Sequence, residues 1–280
     1  AEAKAEAKAK AEAEADPCSR LVLQLSRCMP PVESAAAVPW DEEQPYFDFL
    51  PRAEVLQCAS TALPSMQRLR AAGKLRRKTV DLAAAYRGEG FVKRVLFVSH
   101  RWETPGAPDS TGAQLQAIQA HLDAHPGLDF VWFDYSCMPQ KESATVDGRS
   151  ARERREFQLM LLSIADLYLT SKVLILLDNT YMTRFWTLME SWCAMMTVTP
   201  RGVRAARDTE VRYSITCLHQ ADPKYSLPML VEKLSTKTPR EVAEMLASPD
   251  VQVTNQKDKE ALLPAVRETD EHVRRVLLSA

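Results

Sequence analysis

Glycine is scarce in this chain: only eight of its 280 residues are glycine. A loop that cradles the phosphates of a nucleotide needs several closely spaced glycines, because its backbone N–H groups must approach the phosphate oxygens. Neither a Walker sequence nor a GxGxxG sequence occurs in the chain. The sequence therefore argues against the two commonest nucleotide-binding loops.

Long apolar runs and an excess of charge of one sign are also lacking. No stretch reaches the roughly 18 apolar residues that a membrane-spanning helix needs, and the first residues lack the charged-then-apolar layout of a signal peptide. The 36 Lys and Arg residues are balanced by 37 Asp and Glu residues, so the formal net charge is -1. We therefore predict a cytoplasmic protein that has no partner among nucleic acids or membranes.

Closely paired cysteines are absent as well. The six cysteines are spread over the chain without a CxxC pair, at Cys18, Cys28, Cys58, Cys137, Cys193 and Cys217. In a chain of this length such spacing predicts reduced thiols rather than a disulfide framework. A zinc site made by Cys193, Cys217 and His219 would lack the second paired spacing that structural zinc sites show, and we predict no metal site.

Composition divides the chain into four parts. Residues 1–29 begin with alanine alternating with Glu or Lys, which predicts a solvated helix or a disordered tail. Residues 30–90 are predicted to form a proline-rich lead-in with a helical extension, and residues 91–222 the main α/β domain. Residues 223–280 show apolar residues at helical spacing and are predicted to form a C-terminal helical extension.

The lead-in has two predicted parts. Residues 30–51 are acidic and rich in proline, and we expect an irregular segment that packs Trp40, Tyr46 and Phe49 onto the main domain. Residues 53–90 are expected to form two helices. A basic cluster in this part is predicted to be solvated surface, and it consists of Lys74, Arg76, Arg77 and Lys78.

Apolar runs without alternation dominate the main domain. They predict strands at 95–99, 129–134, 173–178 and 211–218, with a long helix at 151–170 and another after the third strand. Continuous apolar strands are typical of a sheet that helices cover on both faces. The predicted fold class is α/β, a flavodoxin-like, doubly wound and mainly parallel sheet with extra helices at both ends.

The C-terminal extension carries its own helix signals. In the sequence TPREVAEML, Thr238 is a predicted helix cap, Pro239 the first helical residue and Glu241 the partner that completes a capping box. A later amphipathic helix is expected to be kinked or interrupted at Pro264, because proline lacks the N–H that continues the helix.

Each strong strand ends in polar residues. Ser99, His100 and Arg101 follow the first strand, Asp134 follows the second and Asp178 the third. In open parallel sheets ligands bind at the carboxyl ends of the strands, so these residues predict a ligand site at one edge of the sheet. Alternatively, they mark strand ends and cap the helices that follow.

The helix after the third strand holds an acid among apolar residues. If it begins near Thr183, its Trp186 and Glu190 lie four residues apart, beside an apolar face formed by Phe185, Leu188, Met189, Trp192 and Met196. A carboxylate there is predicted to have a raised pKa and to work close to a bound ligand. The alternative is that Glu190 reaches solvent or pairs with Arg184.

Three sequence segments carry a resemblance to a known family. They are FVSHRW at the end of the first strand, WFDYSCMPQ at the end of the second, and YMTRFWTLMESW after the third. In this order they resemble the superfamily of Toll/interleukin-1 receptor (TIR) domains, and especially its heterokaryon-incompatibility (HET-like) branch. The residues that match the HET-like pattern are Trp132, Asp134, Cys137, Gln140, Arg184, Trp186 and Glu190.

The resemblance implies cleavage of the nicotinamide–ribose bond of NAD, with Glu190 as the catalytic residue and no cofactor. NAD would then be a substrate that binds among the polar residues at the strand ends. Trp102 or Trp186 would stack on a flat ring, and Arg101 or Arg184 would meet the pyrophosphate. The implied substrate-binding residues are Ser99, His100, Arg101, Trp102, Asp134, Cys137, Gln140, Asp178, Arg184 and Trp186.

The resemblance also implies assembly into homo-oligomers, with residues 135–149 in the place of the loop that gates the site. Three other functions stay open at this point. The chain could be a signalling module without catalysis, or a nucleoside or nucleotide N-glycosidase that holds a glutamate against the ribose. A thiol nucleophile, Cys137 with His100 and Asp134, is a weaker alternative because no local signature surrounds the cysteine.

Overall fold

The computed structural model of the chain describes residues 46–143 and 146–279. The predictions for residues 1–29, for the first part of the lead-in and for Trp40 lie outside the described residues. Within these two ranges no helix combines the length and apolar character that crossing a bilayer requires.

A mainly parallel six-stranded sheet organises the protein. Its strands are β1 (Tyr46–Pro51), β2 (Arg76–Thr79), β3 (Val95–Ser99), β4 (Phe130–Trp132), β5 (Lys172–Leu177) and β8 (Tyr213–Cys217), and β6 (Met196–Thr199) with β7 (Gly202–Ala205) forms a separate hairpin. The strand order is β2-β1-β4-β3-β5-β8, in which β4, β3, β5 and β8 are parallel. The parallel strands follow the flavodoxin-like order second-first-third-fourth, so the predicted fold class is confirmed.

Helices connect and cover these strands. They are α1 (Arg52–Leu56), α2 (Met66–Ala71), α3 (Leu82–Tyr86), α4 (Ala113–Ala124), α5 (Asp134–Cys137), α6 (Ala151–Thr170), α7 (Phe185–Met195), α8 (Pro223–Leu234), α9 (Pro239–Ala247), α10 (Gln256–Arg267) and α11 (Thr269–Leu278). Every residue of β3 is buried, and in β5 only Lys172 is exposed. Burial on both faces explains why these strands read as continuous apolar runs.

The lead-in differs from its prediction. Residues 46–51 form the strand β1, which pairs antiparallel with β4 and so extends the sheet. Phe47 and Phe49 are fully buried, which confirms the expected packing of Phe49. The prediction of an irregular segment was wrong for residues 46–51, because Asp48 between the two phenylalanines interrupts the apolar pattern of a buried strand. The charge of Asp48 is nevertheless buried, since a distant part of the chain supplies its salt-bridge partners.

Residues 53–90 do not form the two helices that were predicted. The three short helices α1, α2 and α3 and the strand β2 occupy this part. In the basic cluster Lys74, Arg76 and Arg77 are exposed, as predicted, and Lys78 is half-buried. Arg77 also makes salt bridges to Asp48 at 3.0 Å and to Glu156 at 3.2 Å.

Other predicted helix and strand boundaries differ from the observed ones by a few residues. The helix α6 has the predicted bounds, α7 begins at Phe185 rather than near Thr183, and β8 is shorter than residues 211–218. Pro264 lies inside α10, and the break predicted there falls at Glu268 instead, between α10 and α11. The hairpin of β6 and β7 was not predicted, although the sequence Thr199-Pro-Arg-Gly202 is typical of a turn.

The cap of α9 is as predicted. Thr238 accepts from the N–H of Glu241, and the Glu241 carboxylate accepts from the N–H of Thr238 at 2.8 Å. Replacing Thr238 by alanine leaves one N–H of the first turn without its partner, so we expect a loss of about 1 kcal/mol in the free energy of unfolding. Urea denaturation measures it, with Thr254→Ala at an exposed position as the control. Equal losses in both variants would contradict this assignment.

Candidate functional site

The polar residues predicted from the strand ends meet at one edge of the sheet, which we call the rim. It is formed by the carboxyl ends of β3, β4 and β5, which lie side by side. Ser99 ends β3, Asp134 is the second residue after β4, and Asp178 directly follows β5. The parallel order of these strands brings together residues that are up to 79 positions apart in the sequence.

Glu190 lies beneath the rim in the middle of α7. The residue is only 7 % exposed, and its Oε2 accepts a hydrogen bond of 2.6 Å from the Ser99 hydroxyl. The Tyr168 hydroxyl, from α6, lies near the same carboxyl group and donates its hydrogen bond to the Val98 carbonyl at 3.0 Å. Glu190 therefore does not reach solvent, and among the described residues it forms no ion pair with Arg184.

A chain of hydroxyl groups extends from this acid. The Tyr181 hydroxyl contacts the Ser99 hydroxyl, and it also lies 2.8 Å from the Ser191 hydroxyl. All of these groups are buried. A satisfied buried network of this kind holds the Glu190 side chain in one orientation.

The environment of Glu190 raises its pKa well above the ordinary value. Burial is the main cause, because it disfavours the charged form, and the nearby charge of Asp134 adds to it. The hydrogen bond from Ser99 and the nearby Tyr168 hydroxyl act in the opposite direction but do not outweigh burial. In the ligand-free protein Glu190 thus keeps its proton to a higher pH than an ordinary glutamate does.

Asp134 has the opposite character. Its Oδ1 lies 2.8 Å from His100 Nε2, and its Oδ2 accepts from the Trp102 indole N–H at 2.8 Å. Burial opposes ionisation of Asp134, but the charge and hydrogen bond of His100 outweigh it, so its pKa is lowered. The two rim acids thus have environments that favour different protonation states.

His100 is fixed from two sides. Its ring stacks on Phe133 at a centroid distance of 4.1 Å, and its Nε2 contacts Asp134. The other ring nitrogen, Nδ1, is buried and has no hydrogen-bond partner among the described residues. Trp102, which shares Asp134 with His100, packs edge-on against Tyr135.

An open depression of about 250 Å³ adjoins the rim at the ends of β5 and β8. Arg101 borders it and donates from Nε to Asp178 at 2.7 Å. Glu190 is not among the residues that line it, which are Arg101, Asp178, Asn179, Thr180, His219 and Gln220. A ligand that fills this depression would meet the Arg101 guanidinium before it met the buried acid.

Two of the predicted residues lie away from the rim surface. Cys137 is fully buried, its thiol points to the Val131 carbonyl at 3.7 Å, and burial raises its pKa to about 12. A thiol in that state is a poor nucleophile and does not contact a ligand at the surface. Gln140 donates to the Asp134 carbonyl at 3.1 Å and to the Met138 carbonyl at 2.8 Å, so it holds the loop after β4.

Arg184 and Trp186 lie at the start of α7. The backbone on either side of Arg184 is held by Gln252, whose N–H donates to the Thr183 carbonyl and whose carbonyl accepts from Phe185. Trp186 is half-buried and packs edge-on against Phe185. Arg184 is the N-cap residue of α7, and Trp186 lies in its first turn, one turn before Glu190.

Three hydroxyl groups around Glu190 were not predicted from the sequence, and they belong to Tyr168, Tyr181 and Ser191. Tyr168 belongs to a helix far from the motif segments, and no spacing rule connects it to Glu190. Tyr181 and Ser191 fall inside the third segment, YMTRFWTLMESW, yet a hydroxyl group in an apolar helix gives no signal by itself. Trp132, matched through the resemblance, lies in the core and stacks on Phe97.

Among the described residues, no three His, Cys, Asp or Glu side chains are grouped so that they could hold a metal ion. Comparisons of the chain with protein-family models, with curated proteins and with solved structures find no match. The geometry of the rim is therefore the basis on which a function can be argued.

Proposed function

We propose that this protein is a cytoplasmic, TIR-like NAD glycohydrolase that cleaves the bond between nicotinamide and ribose, acts in immune, cell-death or stress signalling and assembles into homo-oligomers. The observation that carries the proposal is the position of Glu190. It is a buried acid, oriented by the Ser99 hydroxyl, at the end of the central strand of a parallel sheet. Open sheets of this class bind ligands at this edge.

The chemistry requires a carboxylate more than it requires a strong acid. Nicotinamide leaves as a neutral base and takes the electrons of the C1′–N bond with it, so the ribose passes through an oxocarbenium-like state. The ionised form of Glu190 would stabilise this positive charge in a water-poor site. Water then attacks C1′ and releases a proton, which completes the hydrolysis to ADP-ribose.

The raised pKa of Glu190 is compatible with this role when the substrate is a cation. A positive charge close to a carboxyl group favours its ionised form. The pyridinium ring of NAD would bring such a charge next to Glu190, whereas the protein without ligand does not. Binding of the substrate would then produce the catalytic form of the acid.

Neighbouring residues supply contacts for the rest of the dinucleotide. Arg101 faces the depression beside the rim and presents a guanidinium that matches phosphate oxygens. Its bond to Asp178 orients the guanidinium until a phosphate group is bound. Trp102 is held by Asp134 through its indole N–H, so its ring has a fixed orientation for stacking.

Incubation of the purified protein with NAD tests the proposal directly. Chromatography should detect nicotinamide and ADP-ribose, or a cyclised or base-exchanged product, in amounts that grow with enzyme concentration. Absence of nicotinamide from a folded protein that self-associates would replace the proposal with that of a signalling module without catalysis. Size-exclusion chromatography of the same sample gives the state of assembly.

One observation favours a second candidate, a nucleoside or nucleotide N-glycosidase. A glutamic acid whose pKa is raised by burial can protonate a leaving nucleobase, which nicotinamide does not need. Incubation with purine and pyrimidine nucleosides and their monophosphates, analysed for free base, distinguishes this function from NAD cleavage.

The pH dependence separates the two chemistries by its sign. If Glu190 acts as a carboxylate on NAD, kcat/KM should fall about tenfold per pH unit below the pKa of the free enzyme. Because burial raises that pKa, the fall should begin at a higher pH than the value of about 4.3 for an ordinary glutamate. If Glu190 acts as an acid on a nucleoside, kcat/KM should instead fall as pH rises. A profile that is flat from pH 5 to 9 would contradict both roles.

A further inference from the structure

A second depression lies on the C-terminal helices, between the end of α9 and the start of α10. Its volume is about 530 Å³, which falls within the range of small-molecule sites. Aliphatic residues form part of its lining, together with two glutamines and one lysine. They include Ala247, Val253, Gln252, Gln256 and Lys259.

Lys259 is unusual for a lysine because the residue is only 5 % exposed. Its Nζ donates to the Ser248 carbonyl at 2.9 Å and to the Val251 carbonyl at 3.1 Å. Among the described residues no carboxylate oxygen lies within 4.0 Å of it. An ammonium group has three hydrogens, so one donor and the whole charge are left for a further partner.

The surroundings of Lys259 favour a partner with negative charge. Gln256, which also lines the depression, is the first residue of α10, a helix of 12 residues. The Asn255 side chain caps this N-terminus by accepting from the Lys257 N–H, so it is the helix dipole that would attract an anion. The acid of the same turn, Asp258, is bonded to the Asn255 amide and does not line the depression.

We propose that this depression binds an organic anion, whose carboxylate or phosphate group contacts Lys259 Nζ and whose apolar body packs on Ala247 and Val253. A buried charge without a counter-ion is costly, and an oxyanion in contact with the third donor removes that cost. The volume exceeds what a carboxylate or phosphate group alone would fill, which is why the ligand carries an apolar body.

The position of the depression connects it to the rim. Gln252 lines it, and the backbone of Gln252 holds Thr183 and Phe185 at the start of α7, the helix that carries Glu190. An anion in the depression would therefore stabilise the first turn of that helix. A change in the rate of NAD cleavage would follow only if the protein is an NAD glycohydrolase, whereas the binding itself does not depend on that function.

Calorimetry on the full chain tests the binding with three probes: benzoate, adenosine monophosphate and inorganic phosphate. We expect one of the two organic anions to bind more tightly than inorganic phosphate, and the tighter one identifies a carboxylate or a phosphate ligand. Lys259→Met should weaken that binding at least about tenfold, because it removes a charge-assisted hydrogen bond. Lys257→Met, at an exposed position of the same helix, is the matched control and should leave it unchanged.

Hydrogen exchange at backbone amides measures the effect of binding on α7 independently of catalysis. Binding should slow exchange at the amides of Phe185 and Gln252, since both take part in the bridge between the depression and α7. If Lys259→Met fails to fold, Ala247→Trp keeps the lysine but fills the depression, and it should abolish binding. The proposal is overturned if no probe binds, if inorganic phosphate binds as tightly as the organic anions, or if the Lys259 and Lys257 variants behave alike.

Discussion

Glu190→Gln is expected to lower the rate of NAD cleavage about 10³-fold. Glutamine occupies the same volume but cannot carry the negative charge that offsets an oxocarbenium-like ribose. Removing a single group that stabilises charge in the transition state commonly costs a factor of 10² to 10³, and the buried position of Glu190 puts the effect at the upper end. Steady-state rates of nicotinamide release measure it, with Glu232→Gln at an exposed position as the control.

The same substitution should not unfold the protein. Because burial raises the pKa of Glu190, ionisation is less favourable in the folded chain than in the unfolded chain. Folding stability should therefore decrease as pH rises from about 4.3, the unfolded value, to the folded pKa, at up to about 1.4 kcal/mol per pH unit. Glutamine does not titrate, so Glu190→Gln should have a higher Tm than the parent protein at neutral pH.

Glu190→Ala should differ from Glu190→Gln in stability. Alanine leaves the Ser99 hydroxyl without the Glu190 acceptor, and it leaves a cavity beside Ser99 and Tyr168. A parent-like rate of NAD cleavage in a well-folded Glu190→Gln variant would contradict the catalytic role. If both variants were unfolded to the same degree, the role of Glu190 would be structural and not catalytic.

Glu156→Ala should destabilise the protein more than loss of the Thr238 cap does. Glu156 is fully buried in α6, and it accepts from Arg70 at 2.7 Å and from Arg77 at 3.2 Å. The same two guanidinium groups bind Asp48, and Arg152 also contacts Glu156 at 3.2 Å, so two acids and three arginines form one cluster between β1, β2, α2 and α6. Removing Glu156 increases the excess of positive charge within the cluster.

We expect Glu156→Ala to lower the free energy of unfolding by about 3 kcal/mol. Breaking a buried ion pair costs about 3 to 5 kcal/mol in the free energy of unfolding. The lower end applies because about a third of the Arg70 side chain and of the Arg77 side chain is exposed. Urea denaturation measures the loss, with Glu89→Ala as the control. Glu89 pairs with Arg87 at the surface, where a change below 1 kcal/mol is expected. Similar changes in both variants would show that the cluster contributes little.

Acid should weaken the same cluster. Burial opposes ionisation of Asp48, but the hydrogen bonds from Arg77 and Arg70 outweigh it and lower its pKa below the usual value. The stability that this carboxylate provides is therefore present above a pH of about 4 and is lost as pH falls through its lowered pKa.

The strongest sequence signals predicted the architecture well. Strands buried on both faces must be apolar throughout, so β3 and β5 were visible without any knowledge of their neighbours. The strand β1 was not visible because its Asp48 is neutralised by Arg70 and Arg77, which lie 22 and 29 residues later. Such pairing depends on the tertiary structure, and no local pattern contains it.

The candidate site was predictable in part for the same reason. Polar residues at strand ends must meet at one edge of a parallel sheet, so Ser99, Asp134 and Asp178 could be placed together from order alone. The contribution of Tyr168 depends on how α6 packs against α7, which spacing along the chain does not reveal. Cys137 shows the converse, since a short sequence pattern selects a residue without showing whether its side chain points inward.

The last helix, α11, has a practical consequence for any shortened form of the protein. Its Asp270 accepts from the Val203 N–H at 2.7 Å and occupies the space beside Gly202, while His272 packs against Tyr86. A fragment that stopped at residue 222 would lose these contacts of α11 with the hairpin and with α3. It would also uncover core side chains that α8 to α10 now cover. Truncation to the sheet alone should therefore yield an aggregating fragment rather than a minimal enzyme.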